Sequence, residues 1–171
     1  MKLRPTVFLF AFAMAGAAHA QLGIYGGFST ATLKTGNNSR FYGGTVGAYF
    51  DGSHHPLVNF GVDVRATFLP EKNSTSITAV TAGPRLVVHL PVVPLRPYAE
   101  LLVGGAHAKT GQGFTFQDRT SVAAGAAVGA DLHILPFIDW RVLDYSYTRV
   151  QAVPTYQQTL TTGIVIRIPF S

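Results

Sequence analysis

Residues 59–68, NFGVDVRATF, alternate with a period of two. Phe60, Val62, Val64, Ala66 and Phe68 fall on one side, and Asn59, Gly61, Asp63, Arg65 and Thr67 on the other. Period two is the signature of a pleated strand. One face is apolar to its end, while the other carries a full negative and a full positive charge. Related patterning recurs in eight segments, approximately 22–32, 41–51, 57–69, 76–90, 97–108, 120–134, 137–149 and 157–170. No convincing 3.6-residue stripe appears after residue 20, so the expectation is strands and turns throughout.

The same division of faces organises the other segments. In 76–90, Val80, Ala82, Leu86, Val88 and Leu90 share the apolar side, and Arg85 and His89 oppose them. In 120–134, Val122, Ala124, Ala126, Val128, Ala130, Leu132 and Ile134 oppose Gly125, Ala127, Gly129, Asp131 and His133. In the last segment Ile164, Ile166, Ile168 and Phe170 oppose Arg167. The stretch IDWRVLDYSYT breaks the rule, because strict alternation would place Asp144 among apolar residues. A one-residue bulge between Arg141 and Asp144 turns Asp144 to the polar side and Tyr145 and Tyr147 to the apolar one.

Four connectors are polar or mixed, around 31–40, 70–75, 109–119 and 150–156; three (DGSHHP, PVVPLR, ILPF) are shorter or marked by proline. Eight antiparallel strands then place both termini on the tight-turn side. A sheet in lipid must pair every backbone group, so it crosses a membrane only by closing on itself. Its outside then meets hydrocarbon and its inside can be polar. The predicted fold is an all-β, eight-stranded, antiparallel up-and-down transmembrane barrel. Its interior charges are Asp63, Arg65, Arg85, Glu100, Asp131, Arg141, Asp144 and Arg167, four acids facing four bases. Buried charges are costly unless paired, so these should form a network that fixes strand register. Eight strands enclose just enough room for side chains, so the lumen should be filled. Phe41, Tyr42, Phe68, Phe137, Trp140 and Phe170 sit near strand ends, where aromatic girdles occur.

Composition sharpens this reading. Charged residues are 12% of the chain, against about 25% in soluble domains. Residues 1–20, MKLRPTVFLFAFAMAGAAHA, read as a cleaved signal peptide, with Lys2 and Arg4 before a short apolar core and AHA at 18–20. The barrel would then be residues 21–171. Removing Lys2 and Arg4 lowers the formal charge from +5 to +3, which is no argument for nucleic acid. The absence of cysteine excludes disulfides, thiolate metal sites and thiol nucleophiles.

The stretch AGPRLVVHLPVVPLRPYAELLVGGAHA (82–108) resembles a strand–turn–strand pattern of the small outer-membrane β-barrel family. That family includes the opacity-type porins and the transmembrane domain of outer-membrane protein A. DYSYT at 144–148 resembles its seventh strand and GIVIRIPF its terminal strand. The resemblance implies a Gram-negative outer-membrane location, without enzymatic activity or cofactor. It further implies a terminal assembly signal in Ile164, Ile166, Ile168 and Phe170, read by the barrel assembly machinery. Such barrels usually end on an aromatic residue, whereas here Ser171 follows Phe170.

Other chemistry is weakly signalled. His89, His107 and His133 have no spacing that demands a metal. Ser121, Ser146 and His107 form no fixed nucleophile–base pair. The polar loops carry Lys34, Arg40, Lys72, Lys109, Arg119 and Arg149 against Glu71 and Asp118, a surplus of 6 − 2 = +4. A basic outer rim of this kind suits the phosphates of lipopolysaccharide. The expected protein is a monomeric outer-membrane barrel, structural or weakly porin-like, with a plugged and charged lumen. Two other readings stand beside it. One is a surface recognition or adhesion protein acting through its loops. The other is a soluble periplasmic lipid-binding barrel of lipocalin type, whose apolar faces would point inward.

Overall fold

The computed structural model describes residues 21–33, 39–52, 57–72, 75–112, 115–150 and 155–169. Eight strands follow one another: β1 (Gln21–Leu33), β2 (Ser39–Gly52), β3 (Val58–Lys72), β4 (Thr75–Val88), β5 (Leu95–Gln112), β6 (Thr115–Leu135), β7 (Ile138–Val150) and β8 (Thr155–Pro169). Each pairs antiparallel with its neighbours, and β1 pairs with β8 from Gln21↔Pro169 to Leu33↔Gln157, closing the barrel. Closure leaves no edge strand along the paired registers, which is the condition for a sheet in hydrocarbon.

The faces divide as the alternation predicts. Val62, Val128 and Ile166 are 52%, 54% and 53% exposed on the outside, whereas Arg65 and Asp131 inside are 4% and 1% exposed. A lipocalin-type barrel requires the opposite arrangement. Phe28, Tyr42, Phe68, Tyr147 and Tyr156 stand on the outer face towards the loop ends of their strands. Phe50, Phe60, Phe137 and Trp140 stand towards the other end, which bears Gln21 and Pro169. Phe41 does not join these bands. It points inward at 3% exposure and packs with Ala31, Leu69 and Ile77.

The bulge in β7 is present. Ala130 pairs with Leu143 and Asp131 with Arg141, so Val142 is the extra residue, and the β7–β8 register shifts between Arg141 and Asp144. Arg141 and Asp144 both face the interior as a result.

Two polar connectors are mostly strand. β3 and β4 continue to the Lys72↔Thr75 pair, and β5 and β6 to Gln112↔Thr115. The expected loops 70–75 and 109–119 shrink accordingly. Strand residues also occupy the edges of 31–40 and 150–156.

Three interior glycines have a geometric cause. Gly23 pairs with Tyr49, Gly47 with Tyr25 and Gly129 with Tyr98. In each pair the tyrosine ring lies where a Cβ on the glycine would stand. The glycine costs strand propensity, and the aromatic ring covers the gap on the partner strand.

Candidate functional site

Each interior charge sits on a strand position whose neighbours along the chain face outward, so the pleat itself delivers the charges to the lumen. Arg65 on β3 is the first hub. Its Nε donates to Asp63 Oδ1 at 3.0 Å, its Nη1 to Asp144 Oδ1 at 3.0 Å, and its Nη2 to Glu100. Arg85 on β4 donates from Nη1 to the other Glu100 oxygen at 2.6 Å and from Nη2 to Asp131 Oδ2 at 3.1 Å. Arg141 on β7 donates from Nε to Asp131 Oδ1 at 2.9 Å, and its Nη1 lies 3.7 Å from Asp144 Oδ2. The sequence Arg65–Glu100–Arg85–Asp131–Arg141–Asp144 therefore returns to Arg65. It is a closed ring of alternating charges that ties together β3, β4, β5, β6 and β7.

Three tyrosines brace this ring. Tyr25 donates its hydroxyl to Asp63, 3.0 and 2.9 Å from the two oxygens, and Tyr98 donates to Asp144 Oδ2 at 2.6 Å. The guanidinium of Arg141 lies 3.8 Å from the Tyr25 ring centre, and that of Arg85 lies 3.9 Å from Tyr98 and 4.1 Å from Tyr49. The same rings cover the glycines named above, so strand geometry and charge placement depend on one set of side chains.

Two acids escape the sequence reading. Asp51 is buried, with Oδ1 3.5 Å from Arg85 Nε. Asp139 is fully buried, with Oδ2 2.8 Å from Arg167 Nε. Asp51 lies beside turn-like sequence, which hides its alternation; Asp139 is in phase with Arg141 two residues on. Arg167 is thus separated from the central ring. It belongs to a second group at the terminal end with Asp139, His133 and Arg96.

Towards the loop end the lumen changes character. Ser29, Thr45, Thr67 and Thr161 form a chain of hydroxyls, with Ser29 at 2.7 Å from Thr45 and 2.8 Å from Thr161. Beyond them Ala31, Phe41, Leu69 and Ile77 make one buried apolar cluster, and Ala79, Ala106, Ala123 and Val150 a second. Charge, hydroxyl and hydrocarbon layers succeed one another along the axis.

Of the predicted basic rim, Arg40, Lys109 and Arg149 are exposed and point outward near the loop ends. Arg149 lies 5.8 Å from the centre of the Tyr156 ring. Lys34 lies outside the described residues, as do the side chains of Lys72 and Arg119. Ile164, Ile166 and Ile168 face outward, and Phe170 lies outside the described residues. His107 faces outward and contacts Thr120, while His54 and His55 are also outside the described residues. Among the described residues, no three His, Cys, Asp or Glu side chains are grouped to hold a metal ion.

Comparison with known proteins agrees with this architecture. Ail, the attachment invasion locus protein of Yersinia pestis, is 16% identical and superposes with a TM-score of 0.65 over 87% of this chain and 99% of its own. Neisserial surface protein A is also 16% identical, with a TM-score of 0.59 over 85% and 96%. A major outer membrane protein of Thermus thermophilus is 10% identical, with a TM-score of 0.53 over 87% and 99%. At these identities the likeness is one of fold. No curated protein matches the chain by sequence. The model of the outer membrane protein beta-barrel domain matches residues 5–167, nearly the whole sequence. With its closed eight-stranded sheet, apolar exterior and charged interior, the chain belongs to the outer membrane protein β-barrel family.

Proposed function

We propose that this protein is a non-catalytic, monomeric resident of the Gram-negative outer membrane whose lumen is closed to solutes. The observation that carries the reading is the ring of ion pairs on Arg65, Arg85 and Arg141, each at most 4% exposed. An apolar plug around Phe41 backs it at the loop end. A solute path would require separating buried charges, and breaking one such pair costs about 3–5 kcal/mol. In this reading the end bearing Gln21 and Pro169 faces the periplasm. The outward cations Arg40, Lys109 and Arg149, joined by Lys34, Lys72 and Arg119, meet lipopolysaccharide phosphates. The terminal strand, with Ile164, Ile166, Ile168 and Phe170, is presented to the assembly machinery. The test is planar-bilayer recording of the purified barrel: the baseline should stay flat, and discrete conductance steps would refute a closed lumen.

A second reading draws on the same cations. Ail has been solved with the heparin analogue sucrose octasulfate, and an outward basic rim suits a sulfated polysaccharide as well as a lipid phosphate. Salt-sensitive retention on immobilised heparin, lost in an Arg40→Gln/Lys109→Gln/Arg149→Gln variant, would favour surface recognition over a purely structural role.

A further inference from the structure

The terminal mouth of the barrel holds a second constellation that the ring does not use. Arg96, at the start of β5, donates from Nη1 to Gln21 Oε1 at 3.1 Å. β1 and β5 stand on opposite walls of an eight-stranded barrel, so this side chain reaches across the opening. Gln21 lies diagonally beside Arg167, because Arg167 pairs with Gly23 in the β1–β8 register. Two guanidinium groups are thus brought to the same side of one opening.

Their partners are few. Among the described residues no carboxylate lies within ion-pair distance of Arg96; Asp139 and, more weakly, Asp51 act on it from further off, and Asp51 is shared with Arg85. Arg167 faces Asp139, but its Nε is out of line for a hydrogen bond and has no other partner. His89, inward-facing just past β4, has a buried Nδ1 with no hydrogen-bond partner. His133 places Nδ1 against both Asp139 and Arg167. Burial, then the positive charges of Arg96 and Arg167, hold the His89 imidazole below the usual histidine range. The mouth therefore gathers two guanidinium groups and an unpartnered imidazole nitrogen, and the charges that bear on His89 are both positive, although Asp51 Oδ1 and Asp139 Oδ2 also lack a hydrogen bond.

We propose that this mouth is an oxyanion site, taking a phosphate or carboxylate between Arg96 and Arg167 with His89 as a third donor. Paired arginines suit such ligands because each guanidinium presents parallel N–H groups to two oxygens. The same chemistry could come from a soluble anion or from an anionic phospholipid headgroup of the adjoining leaflet. The site does not require a closed lumen, so it stands or falls independently of the conductance result.

The test is NMR of the histidine and arginine side chains of the barrel refolded in a maltoside, which carries no phosphate, titrated with inorganic phosphate. Saturable shifts at His89, His133, Arg96 and Arg167 are expected, with the His89 titration midpoint moving up on binding. Arg96→Gln should weaken the apparent affinity by about tenfold or more, since a charge-assisted hydrogen bond is lost, while Arg96→Lys retains part of it. If Arg96→Gln fails to fold, His89→Ala, outside the strands, replaces it with the same expectation. No saturable shift, or an unchanged one in the folded variant, overturns the proposal. Phosphatidylglycerol added in place of phosphate decides the source: matching shifts assign a headgroup, and their absence, with phosphate still binding, assigns a soluble anion.

Discussion

Arg65 shows what a single side chain does here. Its guanidinium meets Asp63, Glu100 and Asp144, on three different strands. Replacing it with Met leaves three carboxylates buried together, so Arg65→Met should lower unfolding stability in detergent by about 3–5 kcal/mol. Chemical denaturation followed by tryptophan fluorescence measures this, and Trp140 is the only indole. Adding Glu100→Gln to that variant should recover part of the loss, because one stranded charge is removed. A smaller effect belongs to Tyr98→Phe, which deletes one hydroxyl donated to Asp144 and should cost about 1–3 kcal/mol. Which charges face inward is readable from alternation alone for Asp63, Arg65, Asp131 and Arg167. Asp51 is not readable, since it abuts a turn where the period is lost, whereas Asp139 is readable through its phase with Arg141 two residues on. Phe41 misleads for a related reason: an aromatic residue near a strand end suits a lipid boundary and a lumen plug equally well, and only register separates them.

The β7 bulge is the element whose cause is most plainly written in the residues. A carboxylate in hydrocarbon is costly enough that one extra residue is the cheaper solution. Deleting Val142 should therefore turn the rest of β7 over and expose Asp144 to lipid. The deletion variant should fail to give the compact, heat-sensitive band of a folded barrel on electrophoresis, whereas Val142→Ala should fold. The long β5–β6 hairpin is not legible. Beyond the aromatic band water wets the outer face as well, so alternation disappears although the strands continue. Polar sequence there marks contact with water rather than loop. Glycine positions follow a third logic, in which Gly129 is small because Tyr98 lies upon it. Gly129→Ala should displace that ring and destabilise by about 1–3 kcal/mol, the usual penalty of overpacking, measurable in the same denaturation assay.

For the molecule as a whole, the apolar exterior and charged interior set its range of behaviour. A charge placed on the outer wall at mid-height, as in Val64→Arg, midway between Phe60 and Phe68 on β3, should cost about 2–4 kcal/mol in a bilayer. The same change at Thr30, nearer the loop end, should cost less. A folding titration in vesicles compares the two.

The ion-pair ring has a consequence for assembly. Its members come from five consecutive strands, so a partial sheet leaves some of them short of partners. A half-inserted sheet would carry naked guanidinium and carboxylate groups against acyl chains. Intermediates are thereby penalised, and the barrel is expected to enter the bilayer in one concerted step. The charges that look like packing material would then also serve as a proofreading device, rejecting any sheet whose third and seventh strands have not yet been curled towards each other.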